Sequence, residues 1–202
     1  MSSLLYDASA TADVVKLPAR RVLALDGQGA PEGESFKRCI GAIYGLAYTL
    51  KFARKAQAGR AGEDFKIGPL EARWWADGEV PRSIAQAPRE SWRWRLRMAM
   101  PSDMSVAELN SAIAVATSKG KLKDSAEARQ ARLERVPAER YGRILHIGPY
   151  AGEGASFERI VAELRAAGLT PGNAHLELYL SDPQRTRPEK LKTVLLLELA
   201  DR

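Results

Sequence analysis

Residues 174–181 read AHLELYLS, a strict alternation of aliphatic and polar or aromatic side chains that predicts a β-strand. Side chains alternate between the faces of a strand. That alternation assigns Leu176, Leu178 and Leu180 to a helix-covered core and puts His175, Glu177 and Tyr179 together on the other face. An earlier stretch, GPLEAR at 68–73, stands in the same place in the order of elements and pairs Glu71 with Glu177. Working outward from these two segments, the chain divides into strand–helix–strand–strand twice. The first unit covers about residues 14–101: a strand over 14–25, a helix from the Ser35 or Glu34 cap to about 57, and strands over 66–76 and 92–100. A linker helix over 105–120 follows, with Ser105 and Glu108 at capping-box spacing. The second unit covers about 131–200: a broken strand over 131–147, a helix over 155–167, and strands over 174–181 and 191–199.

The pattern predicts an α+β fold. It is a duplicated β-α-β-β unit with pseudo-two-fold symmetry, forming one domain of 202 residues: an antiparallel sheet with helices on one face and a ligand cleft on the other, at the seam of the halves. Composition limits the chemistry. One cysteine, Cys39, and two histidines, His146 and His175, exclude centres built from several Cys and His ligands and any internal disulfide. The expectation is no metal and no cofactor. Neither G-x-S-x-G nor a P-loop occurs, and Gly27, Gly29 and Gly33 do not match G-x-G-x-x-G. His175 and Glu177 mimic the H-x-E of zinc deaminases, but the P-C-x-x-C partner is missing. The net charge of +6 comes from 31 basic and 25 acidic residues mixed along the chain. It reads as surface charge, with no direct nucleic-acid binding expected. The longest apolar stretch, 40–50, is too short to span a bilayer, so the expectation is a cytoplasmic chain with no membrane association.

An acid and two ring-bearing residues side by side suit a ligand: Glu177 for hydrogen bonding or charge pairing, Tyr179 for stacking and donation. An ordinary solvated face, with His175 bonded to a neighbour, is the competing reading. Four tryptophans fall within residues 74–94. The repeat match sends Glu71, Arg73 and Trp75 to the Glu177 face and Trp74 to the core. Trp92 and Trp94 share one face of their strand and Arg93, Arg95 and Arg97 the other, and the pattern leaves open which of these lines the cleft.

PLEARWW at 69–75, WRWRLRMAMP at 92–101, ILHIGPY at 144–150, HLELYLSDP at 175–183 and PEKLKTVL at 188–195 together resemble the GyrI-like small-molecule-binding family. It also supplies the ligand domain of multidrug-sensing regulators. The likeness runs from about Val14 to Leu199. It implies the duplicated (SHS2-type) fold and a cleft whose acid is Glu177, with Tyr179, His175, Trp75, Glu71, Tyr150, His146, Trp92 and Trp94 as candidate neighbours. The implied partner is a small aromatic or cationic molecule, such as a xenobiotic or toxin. Stand-alone members with the WW block resemble hydrolases of cyclopropane-bearing, DNA-alkylating natural products, in which Glu177 and Tyr179 would be the catalytic pair. A third implied role is docking on a protein partner, as in gyrase inhibition.

Overall fold

The computed structural model describes residues 6–56, 65–76, 84, 87–118 and 126–200. The polar loop after residue 57, most of the loop over 77–91 and the basic start of the 120–129 stretch lie outside these residues. Eight strands form one antiparallel sheet: β1 (Asp13–Leu17), β2 (Arg20–Gln28), β3 (Leu70–Trp75), β4 (Arg93–Met100), β5 (Arg132–Val136), β6 (Glu139–Ile147), β7 (Pro171–Tyr179) and β8 (Lys192–Leu199). Their order across the sheet is β1-β6-β8-β7-β3-β4-β2-β5. Among the described residues four α-helices accompany them: α1 (Glu34–Ala56), α2 (Val106–Ser118), the single turn α3 (Ala126–Arg129) and α4 (Glu153–Ala166).

Two prolines shape this topology. The segment expected as one strand over 14–25 breaks at Pro18, and the broken strand over 131–147 breaks at Pro137. Proline lacks an N–H and keeps its predecessor out of the helical region, so a ladder stops there. The flanking sequences echo each other, LPARRV at 17–22 and VPAERY at 136–141. After each break the chain changes partner: β1 pairs with β6 of the other half, and β5 pairs with β2. Each half therefore lends its first strand to the far edge of the other. Two residues link β1 to β2, although these strands stand first and seventh in the sheet. So short a link spans about 10 Å at most, and the sheet must curl until its ends approach.

The ladders repeat exactly as a two-fold axis requires in position, though not in residue type. Val22 opposite Ala99 corresponds to Tyr141 opposite Glu198, and Ala72 opposite Leu96 corresponds to Glu177 opposite Leu195. Ala72 and Glu177 are themselves paired, so the axis passes through them. The counterpart of Glu177 is thus Ala72 and not Glu71. A shift of one residue reverses the face of every side chain.

That shift corrects the assignment of faces. α1 packs Phe36, Cys39, Ile43, Leu46 and Leu50 onto Leu23, Leu25, Trp74, Trp94, Leu96 and Met98. α4 packs Ile160, Val161 and Leu164 onto Ile144, Leu195 and Leu197. The ladders place His175, Glu177 and Tyr179 on this same helix-bearing face, between the two helices. Leu176 and Leu178 instead join Val15, Leu17, Tyr141, Val194 and Leu196 on the opposite face. The curl of the sheet buries that face without a helix. Both faces of β7 are therefore buried, and alternation alone could not tell which one the helices cover.

The inside of the curl also holds charge in pairs. Arg20 meets Glu71 at 2.6 Å, Arg73 meets Glu198 at 2.6 Å, and Arg143 meets Asp13 at 2.5 Å. Glu71 has no solvent exposure. A buried carboxylate requires such a partner. The capping box forms as expected, with Ser105 Oγ 3.2 Å from the Glu108 N–H and the Glu108 carboxylate accepting from the Ser105 N–H at 2.8 Å.

Candidate functional site

The seam between α1 and α4 is floored by β7. Glu177 stands on the pseudo-two-fold axis with a side-chain exposure of 14%. Its Oε1 lies 3.1 Å from His175 Nε2, and its Oε2 accepts from the Tyr179 hydroxyl at 2.7 Å. The three side chains that alternation put on one face thus form a single chain of hydrogen bonds. Burial raises the Tyr179 hydroxyl well above its usual pKa, and the adjacent Glu177 charge and hydrogen bond add to that effect. The phenol stays protonated and donates.

The wall on the α4 side comes from a short segment following β6. Gly148 adopts φ +137°, a conformation that favours glycine, and turns the chain into a 3₁₀ turn over Tyr150–Gly152. His146 clips this turn in place: its Nε2 lies 3.2 Å from the Pro149 carbonyl and its Nδ1 3.0 Å from Ser156 Oγ. A carbonyl can only accept, so Nε2 carries a proton and donates to Pro149, while Nδ1 shares a hydrogen bond with the serine hydroxyl. His146 accordingly positions the wall. The Tyr150 ring meets Tyr179 edge-on at 5.9 Å, and Phe157 meets His175 at 4.7 Å. Burial raises the Tyr150 pKa to about 12, with the charges of Glu153, Glu177 and Asp182 contributing. On the α1 side, Tyr44 is half-buried and its pKa is likewise raised, by burial and then by Tyr48 and Asp182.

Glu153, absent from the sequence reading, is the most unusual group here. It begins α4, is only 7% exposed, and its Oε1 has no hydrogen-bond partner among the described residues. Burial first, and the Glu177 charge second, push its pKa far above the carboxylate range. The neighbouring Thr193 hydroxyl acts the other way without forming a hydrogen bond of full geometry. Three further buried polar atoms at this seam lack partners among the described residues: His175 Nδ1, Thr193 Oγ1 and Trp74 Nε1. Neither Glu153 nor Glu177 pairs with a lysine or arginine among those residues. The seam therefore combines two carboxyl groups, three tyrosine rings and unused hydrogen-bonding capacity.

Several candidates lie elsewhere. Glu71 and Trp75 occupy the inside of the curl, where Arg20 holds Glu71 and the Arg73 guanidinium stacks 4.9 Å from the Trp75 ring. Trp94 is fully buried beneath Phe36, with ring centroids 5.1 Å apart. Trp92 packs edge-on against Trp74 at 5.9 Å and donates to the Ala87 carbonyl at 3.1 Å. The open question about β4 is thereby answered: Trp94, Leu96 and Met98 face the helices, whereas Arg95 and Arg97 face Asp26 and Glu134. No cluster of three His, Cys, Asp or Glu among the described residues is placed to hold a metal ion, and no described helix is long and apolar enough to cross a membrane.

Comparison with known proteins agrees with this geometry. An uncharacterized conserved protein from Listeria innocua superposes over 97% of this chain and 95% of its own, with a TM-score of 0.85 and 27% identity. A hydrolase from Listeria innocua covers the same shares, with a TM-score of 0.82 and 26% identity. The EcmrR C-terminal domain shares the fold at 12% identity and a TM-score of 0.57, over 95% of this chain and 98% of its own. No curated protein matches the chain significantly in sequence. Residues 101–200 match the family model described as the GyrI-like small molecule binding domain, and they contain Glu153, Glu177, Tyr150 and Tyr179. Over residues 101–200 the chain is thus similar to the GyrI-like small molecule binding domain.

Proposed function

We propose that the seam binds flat aromatic cations between α1 and α4, over the carboxylate of Glu177. The observation that carries this reading is the pairing of two carboxyl groups with tyrosine rings and, among the described residues, no lysine or arginine to neutralise them. A cation stacked on Tyr150 or Tyr179 gains from the ring quadrupole, and Glu177 supplies the charge partner. Buried polar atoms without partners are rare in native proteins and call for an explanation such as a bound molecule. Trp74, beside Tyr179, provides the signal for a test: titration with aromatic cations should quench tryptophan fluorescence. Glu177→Ala should weaken binding at least tenfold. Absence of quenching by every compound, or unchanged quenching in the variant, overturns the reading.

A second reading draws on the likeness to the Listeria hydrolase. In a cyclopropane conjugated to a carbonyl, water adds to a ring carbon, the strained C–C bond breaks, and its electron pair moves towards the carbonyl oxygen, which takes up a proton. Glu177 would accept the proton of the water, while Tyr179 or His175 would hydrogen-bond the oxygen. General acid–base help of this kind contributes typically 10²–10⁴-fold. Chromatography of an activated cyclopropane after incubation tests it: product beyond one equivalent supports hydrolysis, and stoichiometric binding alone refutes it.

A further inference from the structure

Glu177 on the β7 floor and Glu153 at the start of α4 lie near enough for their charges to interact, but the fold treats them differently. Both oxygens of Glu177 are occupied, by His175 Nε2 and the Tyr179 hydroxyl. Hydrogen bonds to a carboxylate favour its charged form. Glu153 receives less: its Oε1 is buried and unpartnered among the described residues, and only the nearby Thr193 hydroxyl favours its charged form. The groups around it are Glu177, Tyr179 and His175 on β7, Thr193 on β8, His146 on β6, Tyr150 in its own turn and Asp182 in the β7–β8 loop. None of these is a lysine or arginine, and the carboxylates repel a second charge. Two like charges at one buried site cannot both be held cheaply, so one carboxyl keeps its proton.

We propose that Glu153 stays neutral until a cationic ligand arrives, and that it releases its proton to solvent on binding, so the site exchanges H⁺ for the ligand's positive charge. The inference rests on the cation-binding reading of the seam and adds its regulation. Burial does most to keep Glu153 protonated, and repulsion by the Glu177 charge adds to it. A cation seated over Glu177 cancels that repulsion and itself pairs with the carboxylate formed, which becomes a second counter-charge. Affinity for a permanent cation therefore rises with pH. A neutral ligand of the same shape gains nothing from the exchange.

N-methylacridinium, permanently charged, and acridine at pH 8, where it is neutral, serve as the probes with the full chain. Calorimetry at pH 7 in buffers of different ionisation enthalpy counts the protons. The expected result is release of about one proton per N-methylacridinium bound to the unaltered protein and none to Glu153→Gln. His175→Gln should retain the release, which excludes that ring as its source. Across pH 6–8 the affinity for N-methylacridinium should approach a tenfold gain per pH unit, the limit for one released proton, and should be flat in Glu153→Gln, while acridine binding at pH 8 should release no proton. Binding of the cation with no proton release overturns the exchange while leaving the binding reading intact. Infrared spectroscopy of the ligand-free protein gives a separate arm. A protonated-carboxyl band at pH 7 that disappears in Glu153→Gln is expected; its absence refutes a neutral Glu153 even where neither probe binds.

Discussion

At the place where the first half stacks Phe36 against Trp74 and Trp94, the second half sets Phe157 against His175, with Tyr179 and Thr193 alongside. The ladders make the two regions equivalent: Trp74 answers to Tyr179, Trp94 to Thr193, Gly27 to His146 and Ala72 to Glu177. The local sequences GESF at 33–36 and GASF at 154–157 open the two helices alike. One copy fills the space under its helix with indole rings. The other leaves it lined with ionisable groups. The same backbone can thus serve as a core in one copy and, in the function proposed above, as a binding site in the other, because large rings take the volume a ligand would need. Gly27 shows how full the first copy is: a Cβ there would fall 2.1 Å from the Trp94 ring.

The largest effect separating the halves should come from removing that filling. Trp94→Ala is expected to destabilise the protein by about 3–5 kcal/mol, read from chemical denaturation, whereas Thr193→Ala, at the matching position, should change stability far less. Equal losses would erase the contrast between a packed copy and a binding copy. Gly27→Ala should cost about 1–3 kcal/mol through overpacking against the indole, and Trp94→Phe in the same chain should recover part of it.

In the second copy the sensitive property is ligand affinity. Glu177→Gln is expected to weaken aromatic-cation binding about tenfold, near 1.4 kcal/mol, with little change in the unfolding midpoint. A protein that unfolds instead would mark Glu177 as part of the scaffold.

The second half and the linker helix should also respond to pH in opposite directions. Burial raises the Glu153 pKa in the folded state, so the native protein binds more protons than the unfolded chain. Its contribution is full below the ordinary carboxylate pKa and is lost as pH rises through the folded-state pKa of about 9. Glu108, which hydrogen-bonds Arg54 from α2 to α1, is lowered to about 2, chiefly by that bond. Its contribution is present above the ordinary carboxylate pKa and is lost as pH falls towards 2. Denaturation midpoints across pH 3–9 should therefore lose their alkaline decline in Glu153→Gln and part of their acid decline in Glu108→Gln. A smaller test uses the equivalent turns. Gly29 and Gly148 both have positive φ, at +111° and +137°. Alanine at either should cost about 1–2 kcal/mol from backbone strain. Only Gly148→Ala, beside His146, should also disturb ligand binding.

Much of this architecture is legible in the residues. The order of elements, the repeat, the capping box and the convergence of His175, Glu177 and Tyr179 all follow from periodicity and spacing. The error lies in alignment by residue type. Glu71 looks like the mate of Glu177, yet hydrogen-bond register makes Ala72 the mate, and the slip of one residue sends Glu71, Arg73 and Trp75 to the far side of the sheet. Alternation could not correct it, because a curled sheet buries both faces. Glu153 escaped notice for another reason. An acid in the first turn of a helix ordinarily reads as a solvated charge favoured by the helix dipole, and only the depth of the seam makes it exceptional. The HIGPY turn that delivers it, with His146 tied to Pro149 and Ser156, was the available signal.

The exchange of first strands reaches beyond the site. β1 finds its partner only when β6, some 130 residues further along the chain, has been made. β2 can pair with β4 earlier, and only its outer edge waits for β5. During synthesis the amino-terminal segment must stay unpaired until most of the polypeptide has emerged, which delays closure and prolongs exposure of Val15 and Leu17 to aggregation or chaperones. Neither copy can be excised as a self-sufficient piece, because each would lose an edge strand that only the other supplies. A half-length chain of this design would have to dimerise by swapping that strand, and the tandem protein is the covalently joined version of such a pair.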